Sequence, residues 1–219
     1  MKILIPLLLV VSATAAAAVT TTHNFPVGLP VPDNTIIGLA DSREITNAGG
    51  PVQHLTVSLE LSGGWNGDLY AYLVHDTGFA VLLNRIGRSP ANTVGSGTSG
   101  LQIVLDDSAA FDIHLGLPAS GSIAGAWQPD ARPADPALVT DTSPRSAFLG
   151  SFSGLNPNGR WTLFMADLSP GGTSTLNNWS LNITSVPEPA SALLVSLLPA
   201  WFFLSRRRPQ AILISSDRW

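Results

Sequence analysis

The sequence predicts an all-β domain, an antiparallel jelly roll or β-sandwich, carried between an N-terminal signal peptide and one C-terminal transmembrane helix. Three observations predict the domain. Residues 54–61 alternate polar and apolar side chains with a period of two. Short apolar segments recur further along, separated by clusters of Gly, Pro and Asn. No helix of convincing length interrupts residues 19–185. At 219 residues the chain suffices for one domain with a sizeable core and is short for two.

The elements follow in chain order. In residues 54–61 the period places Leu55, Val57, Leu59 and Leu61 on one buried face. Residues 68–74 and 79–84 read as a hairpin around His75-Asp76-Thr77-Gly78, with Gly78 supplying the positive φ of a tight connection. Residues 101–105, 147–152, 161–166 and 179–183 supply further strands. In the last two, alternation puts Trp161, Leu163 and Met165 on one face, and Trp179, Leu181 and Ile183 on one face. Residues 116–144, rich in Ala, Gly, Asp and Pro, read as a long connection and a candidate for variable partner contact.

Charge and composition exclude several functions. Charged residues make up 12% of the chain. Between Val19 and Val186 six Arg face thirteen acidic residues, a formal −7, and no Lys follows Lys2. Such a field repels phosphate backbones, so no nucleic-acid partner is expected. The chain has no Cys, which removes disulfides, thiolate metal sites and Cys nucleophiles.

The two ends carry the address. Lys2, the apolar run 3–11 and small residues ending in Ala16-Ala17-Ala18 read as a signal peptide over residues 1–18, with the mature chain starting near Val19. Near the other end, residues 190–204 are almost all apolar and run directly into Arg206, Arg207 and Arg208, a stop-transfer pattern that keeps the arginines cytoplasmic. The run is short against the roughly 20 residues of a permanent span. Pro187 and Pro189 bracket Glu188 just before it and hold an extended, protease-accessible backbone.

Val186-Pro187-Glu188-Pro189, the short apolar helix and the Arg cluster, in that order, resemble the PEP-CTERM sorting signal of Gram-negative bacteria, also catalogued as an ice-binding-protein C-terminal motif. The resemblance implies recognition by a membrane-embedded exosortase over residues 186–208, with a transmembrane helix at about 190–205. It also implies passage through the inner membrane and release to the cell surface or the extracellular polymer matrix. The catalogue label brings no antifreeze function with it. The chain departs from the pattern in continuing through an extension, residues 209–219.

A second resemblance covers residues 31–184. Val31-Pro32-Asp33-Asn34, Gly67-Asp68-Leu69, Gly125-Ala126-Trp127-Gln128-Pro129, and the closing pair Gly159-Arg160-Trp161-Thr162-Leu163 and Trp179-Ser180-Leu181 resemble the P/Homo B domain. That domain is the β-sandwich that follows the catalytic domain of kexin- and furin-like convertases. The His that often precedes Gly-Asp-Leu is replaced by Gly63-Gly64-Trp65, which marks a divergent member. Convertases keep their catalytic Asp, His and Ser in a separate domain for which this chain has no room, so the resemblance implies no proteolysis.

The residues themselves agree. His23, His54, His75 and His114 stand apart from any metal-ligand spacing or nucleophile turn, and Gly95-Ser96-Gly97 and Gly150-Ser151-Phe152-Ser153-Gly154 are Ser-rich loops. Asp33, Asp68, Asp106, Asp107 and Asp167 lie near strand ends, where loops could converge on calcium; for Asp68 and Asp167 the competing role is backbone capping. Trp161 and Trp179 read as core anchors. Trp65 and Trp127 sit in loops, where each could stack on a sugar ring or fold back over the end of the sandwich. The sequons at Asn178 and Asn182 are discounted. The expected function is that of a non-enzymatic exported protein that displays its sandwich for structural or binding roles. The alternatives are a carbohydrate- or calcium-binding module of an exopolysaccharide matrix and, further off, an accessory fragment of a hydrolase or protease. A permanent membrane anchor whose tail is never cut is a further possibility.

Overall fold

The computed structural model describes residues 17–115, 118 and 120–186. Residues 1–16 of the expected signal peptide lie outside them. So do the sorting residues Pro187, Glu188, Pro189, Arg206, Arg207 and Arg208, the expected membrane helix and the extension 209–219. Among the described residues no helix is long and apolar enough to cross a membrane.

Among the described residues nine strands make the fold: β1 Val19–Pro30, β2 Thr35–Ile45, β3 Val52–Gly63, β4 Leu69–His75, β5 Gly78–Asn84, β6 Leu101–Leu105, β7 Ile123–Trp127, β8 Gly159–Asp167 and β9 Ser174–Ser185. They form a five-stranded sheet, β1-β9-β3-β6-β7, and a four-stranded sheet, β2-β8-β4-β5. The inner faces carry the residues that alternation selects. Leu55, Val57, Leu59 and Leu61 of β3, Trp161, Leu163 and Met165 of β8, and Trp179, Leu181 and Ile183 of β9 are all buried. Each such side chain contributes about 1.5–3 kcal/mol by leaving water. Both core indoles also find acceptors. Trp161 Nε1 donates to Pro157 O at 2.9 Å, and Trp179 Nε1 donates to Asp41 Oδ2 at 2.6 Å.

Several expectations need correction. β1, β2 and β7 have no counterpart among the strands expected from the pattern. β1 and β2 each lie at the edge of a sheet, so their polar and half-exposed residues blur the alternation. β7 pairs with β6 in parallel, so the larger sheet is not purely antiparallel. Among its described residues, segment 116–144 contains β7 and a buried stretch at 129–132, with Val139 also buried, so part of the expected connection is built into the domain while the rest is exposed or half-buried. The strand expected at 147–152 is a 3₁₀ turn, Leu149–Phe152. The Asp107 carboxylate accepts the N–H groups of Leu149 and Gly150, and the three-residue period puts Leu149 and Phe152 together in the core.

The hairpin between β4 and β5 closes at His75 opposite Gly78, but the left-handed residue is Asp76, at φ 50°. Gly78 is needed for closeness instead: a Cβ there would collide with the Phe152 ring.

The strand directions sort the loops into two groups. Val19 at the start of β1 and Val52 at the start of β3 both pair with Ser185 at the end of β9. The chain therefore enters and leaves the sandwich at one end. Pro30 and Ser62 flank Thr175 at the other end, where loops 31–34, 64–68, 85–100 and 168–173 gather.

Gly78→Ala should lower the stability measured by urea unfolding by about 1–3 kcal/mol through overpacking against Phe152. Gly49→Ala, where a Cβ meets no atom within 4 Å, should stay within about 0.5 kcal/mol of the parent.

Candidate functional site

Two places in the fold gather polar and charged side chains, and they differ in how far those groups are already engaged. The first is buried behind β5. Asp130 and Arg132, which follow β7, are 0% and 2% exposed. Asp130 Oδ2 accepts from His114 Nδ1 at 2.7 Å and from the Asn84 N–H at 3.2 Å, while Oδ1 accepts from Arg132 at 3.3 Å. Arg132 also reaches Asp112 Oδ2 at 2.8 Å and the Asp141 carbonyl at 3.0 Å. Burial works against the guanidinium charge, but its hydrogen bond to Asp112 and the two carboxylate charges outweigh it and raise the Arg132 pKa. Arg145 closes the cluster on Gln128 Oε1 and the carbonyls of Pro129 and Asp130.

A His beside an Asp has the form of an acid–base pair, yet here it is a clamp. The second His114 nitrogen faces the Arg88 carbonyl at 2.9 Å, and the ring has no exposed edge. His75 is used the same way. Its nitrogens face the carbonyls of Arg160 and Asn156, and its ring stacks on Trp161 at 4.0 Å. Of the other two, His23 contacts Thr21, with its pKa lowered by burial, and His54 meets Asp106 at 3.2 Å. No hydroxyl nucleophile is hydrogen-bonded to either buried imidazole among the described residues.

Sequence reasoning missed the clamp because its parts lie in a segment of loop composition. The one available signal was the pair of opposite charges Asp130 and Arg132 inside an otherwise small and apolar run.

The second place is the loop end remote from Val19 and Ser185. Asp68 and Asp167 are 4% and 0% exposed, and β8 pairs Asp167 with Leu69, the residue after Asp68. Arg85 reaches Asp68 Oδ1 at 3.3 Å, the Gly67 carbonyl at 3.1 Å and Ser169 Oγ at 2.8 Å. The Oδ2 atoms of both aspartates are buried without a hydrogen-bond donor. Burial raises the Asp68 pKa, against the opposing pull of Ser169 and Arg85. It pushes Asp167 up to about 6, with the charges of Asp68 and Asp33 adding to the rise and Ser169 N–H and Arg85 opposing it.

Of the five aspartates considered for calcium, Asp33, Asp68 and Asp167 thus share this end, with Asp33 Oδ2 accepting the Gly171 N–H. Asp106 and Asp107 are placed elsewhere. Asp106 caps Ser108 and meets His54, and Asp107 caps the 3₁₀ turn. Asp167 Oδ1 accepts the Ser169 N–H at 3.3 Å, the capping role weighed against calcium. Among the described residues no group of three or more His, Asp or Glu is arranged to hold a metal ion.

Trp65 stands at this end and is 49% exposed. It lines an open hollow of about 260 Å³ together with Asp68, Val94, Gly95, Ser96 and Gly97. Its indole is braced by the 168–173 loop: a Cβ on Gly171 would lie 3.5 Å from Cζ3. Trp127 lies at the end of β7 and not in a loop. Its Nε1 donates to the Ala124 carbonyl at 3.0 Å, and it packs partly buried against the core.

No family model matches the chain, and no curated protein matches it. Among solved structures it is similar to the serine protease of Aeromonas sobria in complex with the chaperone ORF2, at 14% identity and a TM-score of 0.44, over 78% of this chain and 28% of that one. The same serine protease solved without the chaperone gives 14% identity and a TM-score of 0.44, over 77% and 27%. The chain thus spans under a third of the length of either protease structure.

Two outcomes are expected. Arg132→Met should cost about 3–5 kcal/mol in chemical denaturation, because it removes the buried cation that bonds both Asp130 and Asp112 and leaves Asp112 only the longer ion pair to Arg145. For Asp167 the folded pKa lies above the unfolded value, so the folded chain binds the proton more tightly. That group favours folding in acid and penalises it as pH rises through the window from about 4 to about 6. Asp167→Asn should therefore gain stability relative to the parent across that window and hold a constant advantage above it, read as the difference in urea midpoints at about pH 4 and about pH 7.

Proposed function

We propose that this chain is a non-enzymatic exported protein whose β-sandwich, a divergent P/Homo B-like domain, is delivered to the surface or extracellular matrix of a Gram-negative bacterium. Its C-terminal segment, residues 186–208, is the address an exosortase reads. The observation that carries the reading is the pairing of Val19 and Val52 with Ser185. The residue after the expected signal cleavage and the residue before the sorting segment lie at one end of the sandwich. The loops at the opposite end carry neither connection.

The disposition of the polar groups supports a non-catalytic role. His75 and His114, the two buried histidines, are engaged on both ring nitrogens by backbone carbonyls or Asp130. A general base needs a nitrogen free to take a substrate proton. A second reading, a carbohydrate-binding module, is favoured by the exposed indole of Trp65 over its hollow. Calcium binding has no comparable support.

The test is the intact mass of the protein recovered from the outer surface and medium of a native host that encodes an exosortase. A mass ending near Pro187 to Pro189, with Arg206, Arg207 and Arg208 gone, is the expected outcome. A mass that retains Trp219, or a protein confined to the inner membrane, overturns the sorting part of the proposal.

A further inference from the structure

The hollow at the loop end sets an exposed indole beside a buried carboxylate. Four tryptophans lie among the described residues. Trp127, Trp161 and Trp179 donate their indole N–H groups to Ala124 O, Pro157 O and Asp41 Oδ2. Trp65 alone has no acceptor among the described residues, and it is also the most exposed of the four. Beside it, in the same hollow, Asp68 is 4% exposed and carries a carboxylate oxygen that no donor meets. An indole N–H without a partner thus borders the hollow, and a buried carboxylate braced by Arg85 forms part of its wall.

We propose that this hollow is a subsite for one neutral pyranose ring of a polysaccharide, stacked on the Trp65 indole and hydrogen-bonded through a hydroxyl group to Trp65 Nε1, with Asp68 and Arg85 holding the wall of the hollow in place. The inference rests on the reading of the chain as a displayed binding domain and names the ligand class of that display.

The chemistry favours a sugar over other occupants. A pyranose has an apolar C–H face for an aromatic ring and hydroxyl groups around its rim that both donate and accept, and Trp is the side chain suited to a contact apolar on one side and wet on the other. Asp33, Asp68 and Asp167 gather at this end against Arg85 and Arg88, a near balance of charge that favours neither an anionic sugar nor a phosphate. The Arg85 guanidinium already occupies the other oxygen of Asp68, and a single aromatic ring is a poor cage for a cation. At about 260 Å³ the hollow is a little smaller than the roughly 300–1,000 Å³ of drug-sized pockets. It suits one ring of a longer chain.

The hollow is also rigid before any ligand arrives. Asn66 N–H donates to Thr98 O and Gly67 N–H to Ser96 O, both at 2.9 Å, and the buried Asn66 amide reaches Thr98 Oγ1 and Gly100 O. Gly67 packs so tightly on the Ser96 backbone that a Cβ there would collide with it. The far side of the floor is held by Asn92, whose side chain bonds Gly95 at both its N–H and its carbonyl. Little conformational entropy remains to be lost on binding.

The experiment is calorimetric titration of the full-length protein with hexasaccharides of glucose, xylose and N-acetylglucosamine, with oligogalacturonate and choline as charged probes. At least one neutral oligosaccharide should give saturable binding, weakened at least tenfold by Trp65→Ala and by a smaller factor in Trp65→Phe, which keeps the ring and loses the N–H. Trp127→Ala should bind as the parent does. Thermal melts of the Trp65 variants, at a half-exposed site, establish that each is folded. Absence of binding by every neutral probe at millimolar concentration, equal binding by folded Trp65→Ala, or preference for galacturonate or choline overturns the inference. Delivery is read separately, by recovering the protein from the outer surface. A delivered protein that binds no neutral glycan ends this inference alone. A protein that binds glycan but never leaves the inner membrane ends the sorting proposal alone.

Discussion

The hydrogen bond from Trp179 Nε1 to Asp41 Oδ2, at 2.6 Å, is the contact on which the arrangement of this sandwich turns. Trp179 belongs to β9 in one sheet, and Asp41 to β2 in the other. The indole is 0% exposed, so without an acceptor its N–H would be stranded in the core at a cost of about 1–3 kcal/mol. Asp41 meets that need and must itself be balanced. Arg43 does so at 2.8 Å, and its guanidinium also reaches the Pro26 carbonyl and lies over the Phe25 ring, which packs on Trp179. A closed circuit of four side chains thus joins β9, β2 and β1. It seals one open side of the sandwich, where two edge strands would otherwise leave the core uncovered.

The orientation of the whole domain follows from β9. It pairs with both β1 and β3, so the last residue of the sandwich lies beside the first residues of two other strands. Both neighbours run antiparallel to it, and the remaining loops are therefore divided between the end that holds the termini and the end that does not. Trp65, Asp68 and Asp167 belong to the free end because they flank β4 and β8 where those strands approach Gly63 and Ser174. This connectivity sets Trp65, Asp68 and Asp167 at the end of the sandwich remote from Val19 and Ser185.

The core was legible in the sequence wherever one strand face is wet and the other buried. Leu55 to Leu61 on β3, Trp161 to Met165 on β8 and Trp179 to Ile183 on β9 all sit where period-two reasoning puts them. Legibility failed for two physical reasons. Edge strands such as β1 and β2 bury only part of one face, so Thr, Asn and Ser are tolerated and the pattern fades. In residues 116–144 the stabilising groups are charges, and burial of Asp130 and Arg132 is set by partners far away in the chain, at Asn84, Asp112 and His114. No local pattern encodes such a partnership. At the candidate site, Trp65 and Asp68 were visible as residue types beside glycines. That Trp65 leaves its N–H free while Trp127 spends its own could be read only from the folded chain.

The two polar clusters illustrate why buried charge and binding capacity are different properties. The clamp around Asp130 is dense in charge, and although Arg132 Nε and Asn84 Oδ1 lack partners, both carboxylate oxygens of Asp130 and both ring nitrogens of His114 already have them. A ligand would have to displace a protein donor there, and each displaced donor would then be the unsatisfied group. At the loop end the balance is reversed. Arg85 satisfies one oxygen of Asp68 and braces the carbonyl of Gly67, which fixes the carboxylate without using it up. The glycine-to-backbone contact between Gly67 and Ser96 leaves no side chain to fill the space below the indole. A rigid frame with unspent hydrogen-bonding capacity is what recognition of a hydrated, uncharged ligand requires, because such a ligand gives up hydrogen bonds to water on entry and must recover them from groups already in position.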